Sequence, residues 1–202
     1  MNAQNFGQAR QYALHRLEWE LPQNLLYHGI THTRDDVVPA AELLAGMEGI
    51  QGESLSLLLT AAWFHDLGFV EQPLYHELIS ARIAGEVLPG FEYTNEQVEI
   101  VRWAILATAL PQSPTTLLEE ILTDADLDVL GREDFMSRNQ DLRRELAFFG
   151  KEFADEEWYS AQLKFVESHT YFTMSARTLR DAGKLRNAAD LKRRLEGIGS
   201  EK

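Results

Sequence analysis

The sequence predicts an all-α protein, a compact multi-helix bundle, on three observations. Apolar residues recur at three- and four-residue spacing in segment after segment. Alternating apolar and polar runs closed by hairpin turns are hard to find. Proline and glycine punctuate the chain between the periodic segments, as in Leu88-Pro89-Gly90 and around Pro111 and Pro114.

In chain order, Ala9, Tyr12, Ala13 and Leu17 predict a first helix over 8–19, followed by a loop at Leu21-Pro22-Gln23-Asn24. Val37, Val38, Ala41, Leu44 and Ala45 form the stripe of a second, stopped at Gly46 or Gly49. Residues 53–65 contain SLSLLLTAAWF, the most apolar stretch, and are expected to run through the centre of the core with Gly68 as the stop. A fourth helix over about 75–87 carries Leu78, Ile79, Ile83 and Val87. Thr94 and Gln97 make a capping box for a fifth, with Val98, Val101, Ile105 and Leu106 on its apolar side. TTLLEEILTDADLDVLG resumes helix, and the end of the chain suggests two more, over 137–149 and a long one over 156–180. No repeat or linker divides the chain, so one domain spanning 1–202 is expected, with a motif-bearing part at about 28–131 and C-terminal helices at about 137–195.

At 202 residues the chain buries a core without covalent staples. It has no cysteine, which excludes disulfides, thiolate ligands and a cysteine nucleophile; a bound metal must take imidazole and oxygen. A net charge of −13 is a poor platform for a nucleic-acid polymer, and none is expected as a partner. The last 26 residues differ, with eight Lys/Arg against four Asp/Glu, which a solvated amphipathic helix explains. The start lacks the basic and apolar regions of a signal peptide, and no uncharged stretch has the length of a membrane span. A cytoplasmic protein without membrane contact is the expectation, and an apolar face on the last helices serves either the core or a homodimer.

The chemistry concentrates in three places. His28 and His32 lie four apart in YHGITHTRDDV, on one side of a helical turn. His65 and Asp66 end the most apolar segment, in WFHDLGF; buried and unpartnered, either would cost several kcal/mol. Adjacent helical residues diverge by about 100°, so the two converge only near a helix end or over an irregular turn, and Gly68 makes such an end plausible. In ILTDADLDVLG, Asp124 and Asp128 share a helical face and Asp126 points elsewhere. Asp124 stands in a stretch suited to burial, where a carboxylate needs a cation or several donors. Two imidazoles and two carboxylates from three separated helices supply an N₂O₂ set for a divalent ion, with positions left for water and a substrate oxygen.

The order His32 … His65-Asp66 … Asp124 resembles the H…HD…D signature of the HD-domain superfamily of metal-dependent phosphohydrolases. YHGITHT, LLLTAAWFHDLGF, His76-Glu77 and LLEEILTDADLDVLG are similar to small bacterial HD proteins, some of whose relatives are fused to nucleotide-cyclase or other signalling domains. The resemblance implies one divalent metal (Mn, Fe, Zn, Co, Ni or Mg) on His32, His65, Asp66 and Asp124. It also implies that Asp66 helps orient or deprotonate the attacking water. Superfamily members with two metals use further histidines; His76 matches one such position, but no histidine lies between 77 and 168, so a single ion is favoured.

Other roles stay open at this level. His28 either donates a proton at the substrate phosphate or caps a loop. His76 and Glu77 support the ligands or act on substrate, and Glu71 stands where some relatives place a catalytic acid. Arg34 either clamps phosphate or pairs with Asp35 and Asp36; Asp128 is a candidate for holding His28 or His32 in place. Trp63, Phe64 and Phe69 read as core packing. The expected activity is hydrolysis of a nucleotide or another small phosphorylated metabolite by a metal-activated water. The alternatives are a metal- or nucleotide-binding signalling module with little or no catalysis, and a helical adaptor.

Overall fold

The computed structural model describes residues 3–200, with side chains from 6 to 199, and it is all-α: among the described residues there is no strand. Among the described residues nine α-helices follow one another: α1 (Ala3–Trp19), α2 (Val38–Met47), α3 (Gly52–Phe64), α4 (His76–Val87), α5 (Asn95–Ala107), α6 (Leu117–Asp126), α7 (Phe135–Phe148), α8 (Asp155–Ser168) and α9 (Met174–Ser200). None of the described helices is long and apolar enough to cross a membrane.

The central helix is α3, as its composition predicts. Every residue from Leu57 to Phe64 is buried, and α1, α2, α4, α5 and α6 pack around it. A helix apolar on all sides has no solvated face to keep, so it can only sit inside a shell of others. Burying side chains such as Leu57, Leu58 and Phe64 is worth roughly 1.5–3 kcal/mol each. The capping box at Thr94 is present: the Gln97 N–H donates to Thr94 Oγ1 at 3.3 Å and the Thr94 N–H to Gln97 Oε1 at 2.9 Å. Trp63, Phe64 and Phe69 are core residues, whereas Leu78, placed on the apolar stripe of α4, is 59 % exposed and Ala81, Ile83 and Ala84 form the buried side instead.

Two elements differ from the sequence reading in ways that matter for the site. A π-helical turn, His32–Val37, leads into α2, and its wider spacing rotates His32 and Thr33 inward while Arg34 and Asp35 stay outside. The long helix expected over 156–180 is broken into α8 and α9. Its break is chemical: Asp124 accepts the Phe172 N–H (2.8 Å), the Thr173 N–H (2.8 Å) and the Thr173 hydroxyl (2.7 Å), and Thr173 Oγ1 in turn accepts the Ala176 N–H. The backbone donors that a continuous helix would use internally are turned to a carboxylate from another element.

Close approaches hold the later elements in place. A Cβ on Gly68 would lie 2.0 Å from the His76 carbonyl oxygen, and the Gly68 N–H donates to Ser80 Oγ. Gly68 is thus required by its contact with α4 rather than as a helix stop. At the other end, α9 rests on the 3-10 turn Asp128–Gly131, where a Cβ on Gly183 would lie 1.9 Å from the Gly131 carbonyl oxygen.

A histidine between α8 and α9 makes stability there sensitive to acid. Burial first, and then the charge of Lys184, lower the pKa of His169 to about 4, and its ring stands edge-on to Tyr171 at 4.6 Å. Unfolded histidine titrates near 6.5, so between those values the unfolded chain binds more protons, and stability falls as pH drops from about 6.5 towards 4. His169→Phe, which has nothing to protonate, is expected to retain about 1–2 kcal/mol more stability than the parent chain on going from pH 7.5 to pH 5. Urea unfolding of both proteins at the two pH values checks it; equal losses would refute it.

Candidate metal centre and adjoining cavity

Three elements deliver the site. The π-helical turn supplies His32, the end of α3 supplies His65 and Asp66, and the last turn of α6 supplies Asp126. Phe64 closes the regular part of α3; His65 is still αR, but Asp66 (φ −103°, ψ 6°) has left the helix, which brings two adjacent side chains to one point. His32, His65 and Asp66 are buried, and each offers a ligating atom within 4.8 Å of the others.

Asp126 is the fourth member. Its Oδ1 lies 3.1 Å from His32 Nε2 and 3.5 Å from His65 Nε2. Asp66 Oδ2 lies 3.4 Å from His65 Nε2 and 3.7 Å from His32 Nε2. Ligands about 2.1 Å from a common ion at 90–110° stand roughly 3.0–3.5 Å apart; three of these separations fall in that range, and the 3.7 Å between Asp66 and His32 is slightly wider. The expected ligand Asp124 is not at this point. It is fully buried, but its two oxygens are spent on Phe172 and Thr173, the "several donors" solution to a buried carboxylate. Two residues along α6 the side chain has turned by about 200°, so Asp124 faces α9 and Asp126 faces the histidines.

The donor set is prepared for a cation. The His65 Nδ1–H donates to the Ala62 carbonyl at 2.8 Å, which leaves Nε2 as a lone pair aimed at the cluster. Both His65 Nε2 and Asp66 Oδ2 are buried without a hydrogen-bond partner among the described residues, a costly state that positive charge between them relieves. His32 Nδ1 faces Asp36 Oδ2 at 3.9 Å, too long for a direct hydrogen bond. Burial resists protonation of His32, yet the Asp126 hydrogen bond and the charges of Asp36 and Asp66 outweigh it and raise its pKa to about 10. Asp126 is held well below the ordinary carboxylate range, against its burial, by the two imidazoles. Without a cation, protons on histidine supply the positive charge this pocket demands. The residues present therefore fit a divalent metal bound through two imidazoles and two carboxylates.

Beside the cluster lies a cavity of ≈ 290 Å³ whose near wall includes Asp66, Asp126, His28, His76 and Glu77. His76 Nε2 lies 3.5 Å from Asp66 Oδ1 and 3.5 Å from Glu77 Oε1. Its Nδ1 is 3.1 Å from the Pro73 carbonyl. His76 follows Tyr75, whose left-handed backbone (φ 61°) turns the chain into α4. His28 stacks on Phe69 at 4.5 Å, and its Nδ1 is 2.5 Å from Glu145 Oε1. The other Glu145 oxygen accepts the Tyr27 and His28 N–H groups at 2.7 and 3.0 Å. Those contacts hold the Glu145 carboxyl below its usual range although burial opposes it.

Three further candidates lie elsewhere. Asp128 forms a buried ion pair with Arg180 of α9 (2.5 Å) and holds neither His28 nor His32. Arg34 pairs with Asp35 at the surface (2.7 Å), so the ordinary ion-pair reading describes it. Glu71 makes an exposed pair with Arg82 at 2.6 Å and does not line the cavity. The sequence reading did not single out Glu145, nor the placement of Asp126 rather than Asp124 beside the histidines. Glu145 carries no local signal within RRELAFF, because its partners are more than 110 residues away. Asp126 was discernible only by asking which aspartate of the last helical turn could not be spent on a neighbouring helix. Compared with protein-family models, curated proteins and solved structures, the chain gives no match.

Proposed function

We propose that this chain is an HD-type, metal-dependent phosphohydrolase that cleaves the ester or anhydride bond of a small phosphorylated molecule. The observation that carries the reading is the convergence of His32, His65, Asp66 and Asp126, with two buried ligating atoms unpartnered, on the wall of a cavity. A divalent ion held by those four side chains supplies Lewis acidity at a phosphoryl oxygen and a more acidic water. Two imidazole ligands favour a transition metal over Mg²⁺.

The chain's own residues supply positioning and protons. Asp66 Oδ1, on the His76 side of its carboxyl group, orients the attacking water and takes its proton as the water oxygen bonds to phosphorus. Glu145 holds His28 Nδ1, so His28 presents Nε2 to the cavity, where it delivers a proton to the departing oxygen as the P–O bond breaks. The products are then an alcohol, or a shorter phosphate, and inorganic phosphate. Glu77, beside His76, steadies that ring.

The reading is tested by elemental analysis of unchelated protein together with a panel of nucleotides and phosphate esters assayed with Mn²⁺, Co²⁺ and Mg²⁺. Near-stoichiometric transition metal and metal-dependent phosphate release are expected. Nucleotide binding without hydrolysis under any metal would identify a binding module instead, and failure to take up metal would identify an adaptor. Glu145→Gln, which keeps shape but weakens the grip on His28, is expected to lower kcat by about 10–100-fold with metal content unchanged. It should also shift the basic limb of the kcat–pH profile, the limb a general acid governs, a change that a merely structural role would not produce.

A further inference from the structure

The cavity beside the cluster is chemically divided. Its carboxylate and imidazole lining residues (His28, Asp66, His76, Glu77 and Asp126) gather at the end next to the cluster, with Tyr27 beside His28. Beyond them the walls are mostly carbon, from side chains such as Leu127, Leu130, Phe135, Leu142 and Phe165, and the Thr108 hydroxyl there donates to the Ile105 carbonyl of its own helix. On α7 and α8, which supply no member of the cluster, Asn139 and Gln162 interrupt the apolar surface. Asn139 is engaged at both polar atoms: its Oδ1 accepts the Trp158 indole N–H at 2.7 Å, and its Nδ2 donates to Gln162 Oε1 at 2.6 Å. That fixes the Gln162 amide with Nε2, which makes no other hydrogen bond among the described residues, as the remaining donor. Among the described residues no lysine or arginine lines the cavity. Leu110, 61 % exposed, extends the apolar surface to the mouth.

We infer that the body of the ligand bound here is an uncharged, apolar ring system with a hydrogen-bond acceptor facing Gln162 on α8, apart from its single phosphoryl group. This rests on the phosphohydrolase reading for the phosphoryl end and on the cavity itself for the rest. A polyphosphate tail would leave charges unpaired against carbon walls, and the hydroxyls of a sugar would lose water without gaining partners. An apolar cavity of about 150 Å³ admits benzene, so one of ≈ 290 Å³ has room for two fused rings. The ligand class is therefore an aryl or similarly hydrophobic phosphate monoester, not a nucleoside di- or triphosphate.

The test has two arms with the full-length chain. In the first, chelator-treated protein is titrated calorimetrically with 2-naphthol and with 6-hydroxyquinoline, neither of which needs a metal. Both should bind, the quinoline more tightly because its ring nitrogen accepts from Gln162. Gln162→Leu should abolish that preference, and Leu142→Trp, which fills the cavity, should weaken both by at least about tenfold. In the second arm, metal-loaded protein is given 2-naphthyl phosphate, AMP and ATP, and kcat/KM for the naphthyl ester should lead by at least about tenfold. Binding of both aromatics unaffected by Leu142→Trp, or ATP and AMP turned over as well as the naphthyl ester, would overturn the inference. Binding in the first arm with no turnover of any ester would uphold the ligand class and remove the hydrolase reading alone.

Discussion

Asp126→Ala is expected to lose its metal and its turnover while keeping its helical content. Asp126 is one of two carboxylates that touch the imidazole pair, at 3.1 and 3.5 Å, and 19 % of its side chain is exposed, so its removal leaves no large hole. Metal affinity should fall by more than the about 10–100-fold typical when a residue merely supporting a ligand is replaced. Metal content by elemental analysis, phosphate release and far-ultraviolet circular dichroism check the three parts. Asp66→Ala and His65→Ala should lose metal and turnover likewise, and His65→Ala should also lose stability because its ring is fully buried. An Asp126→Ala protein with normal metal and normal activity would remove this carboxylate from the site.

Asp124→Ala is expected to do the opposite, lowering stability by about 2–4 kcal/mol with metal per folded molecule unchanged. Three donors, from Phe172 and Thr173, lose a buried acceptor at once. Burial raises the Asp124 pKa despite those donors, so its charge is itself held against a desolvation cost. That offsets part of the gain from the three bonds and keeps the expected loss below their simple sum. Thermal or urea unfolding measures the change, and elemental analysis of the folded fraction measures the metal. If Asp124→Ala instead lost metal without losing stability, the assignments of the two aspartates would have to be exchanged.

That contrast shows what the sequence carries and what it leaves out. The all-α class, the central helix 53–65 and the capping box at Thr94 follow from local patterns, periodicity and one side chain bonding to a backbone group three residues away. The meeting of His32 with His65 and Asp66 was also legible, because a buried His-Asp pair at a helix end demands partners. The choice among Asp124, Asp126 and Asp128 was not. It depends on which helix packs on which side of α6, and α9 claims Asp124 for its own start and, through Arg180, Asp128 for its flank. The long helix expected over 156–180 failed for the same reason, since its break is imposed by a carboxylate almost fifty positions earlier. Glu145 has the same character: its role is defined by backbone groups in another part of the chain.

The backbone contact between Gly131 and Gly183 sets how α9 can be changed. With no room for even a methyl group on either partner, the helix seats like a notch on a peg and cannot slip by one residue to absorb an insertion or deletion before it. Arg180, one turn earlier, grips Asp128, two positions from Asp126. Lengthening or shortening the connection between α8 and α9 would therefore be felt at the histidine cluster even though no residue of α9 belongs to it.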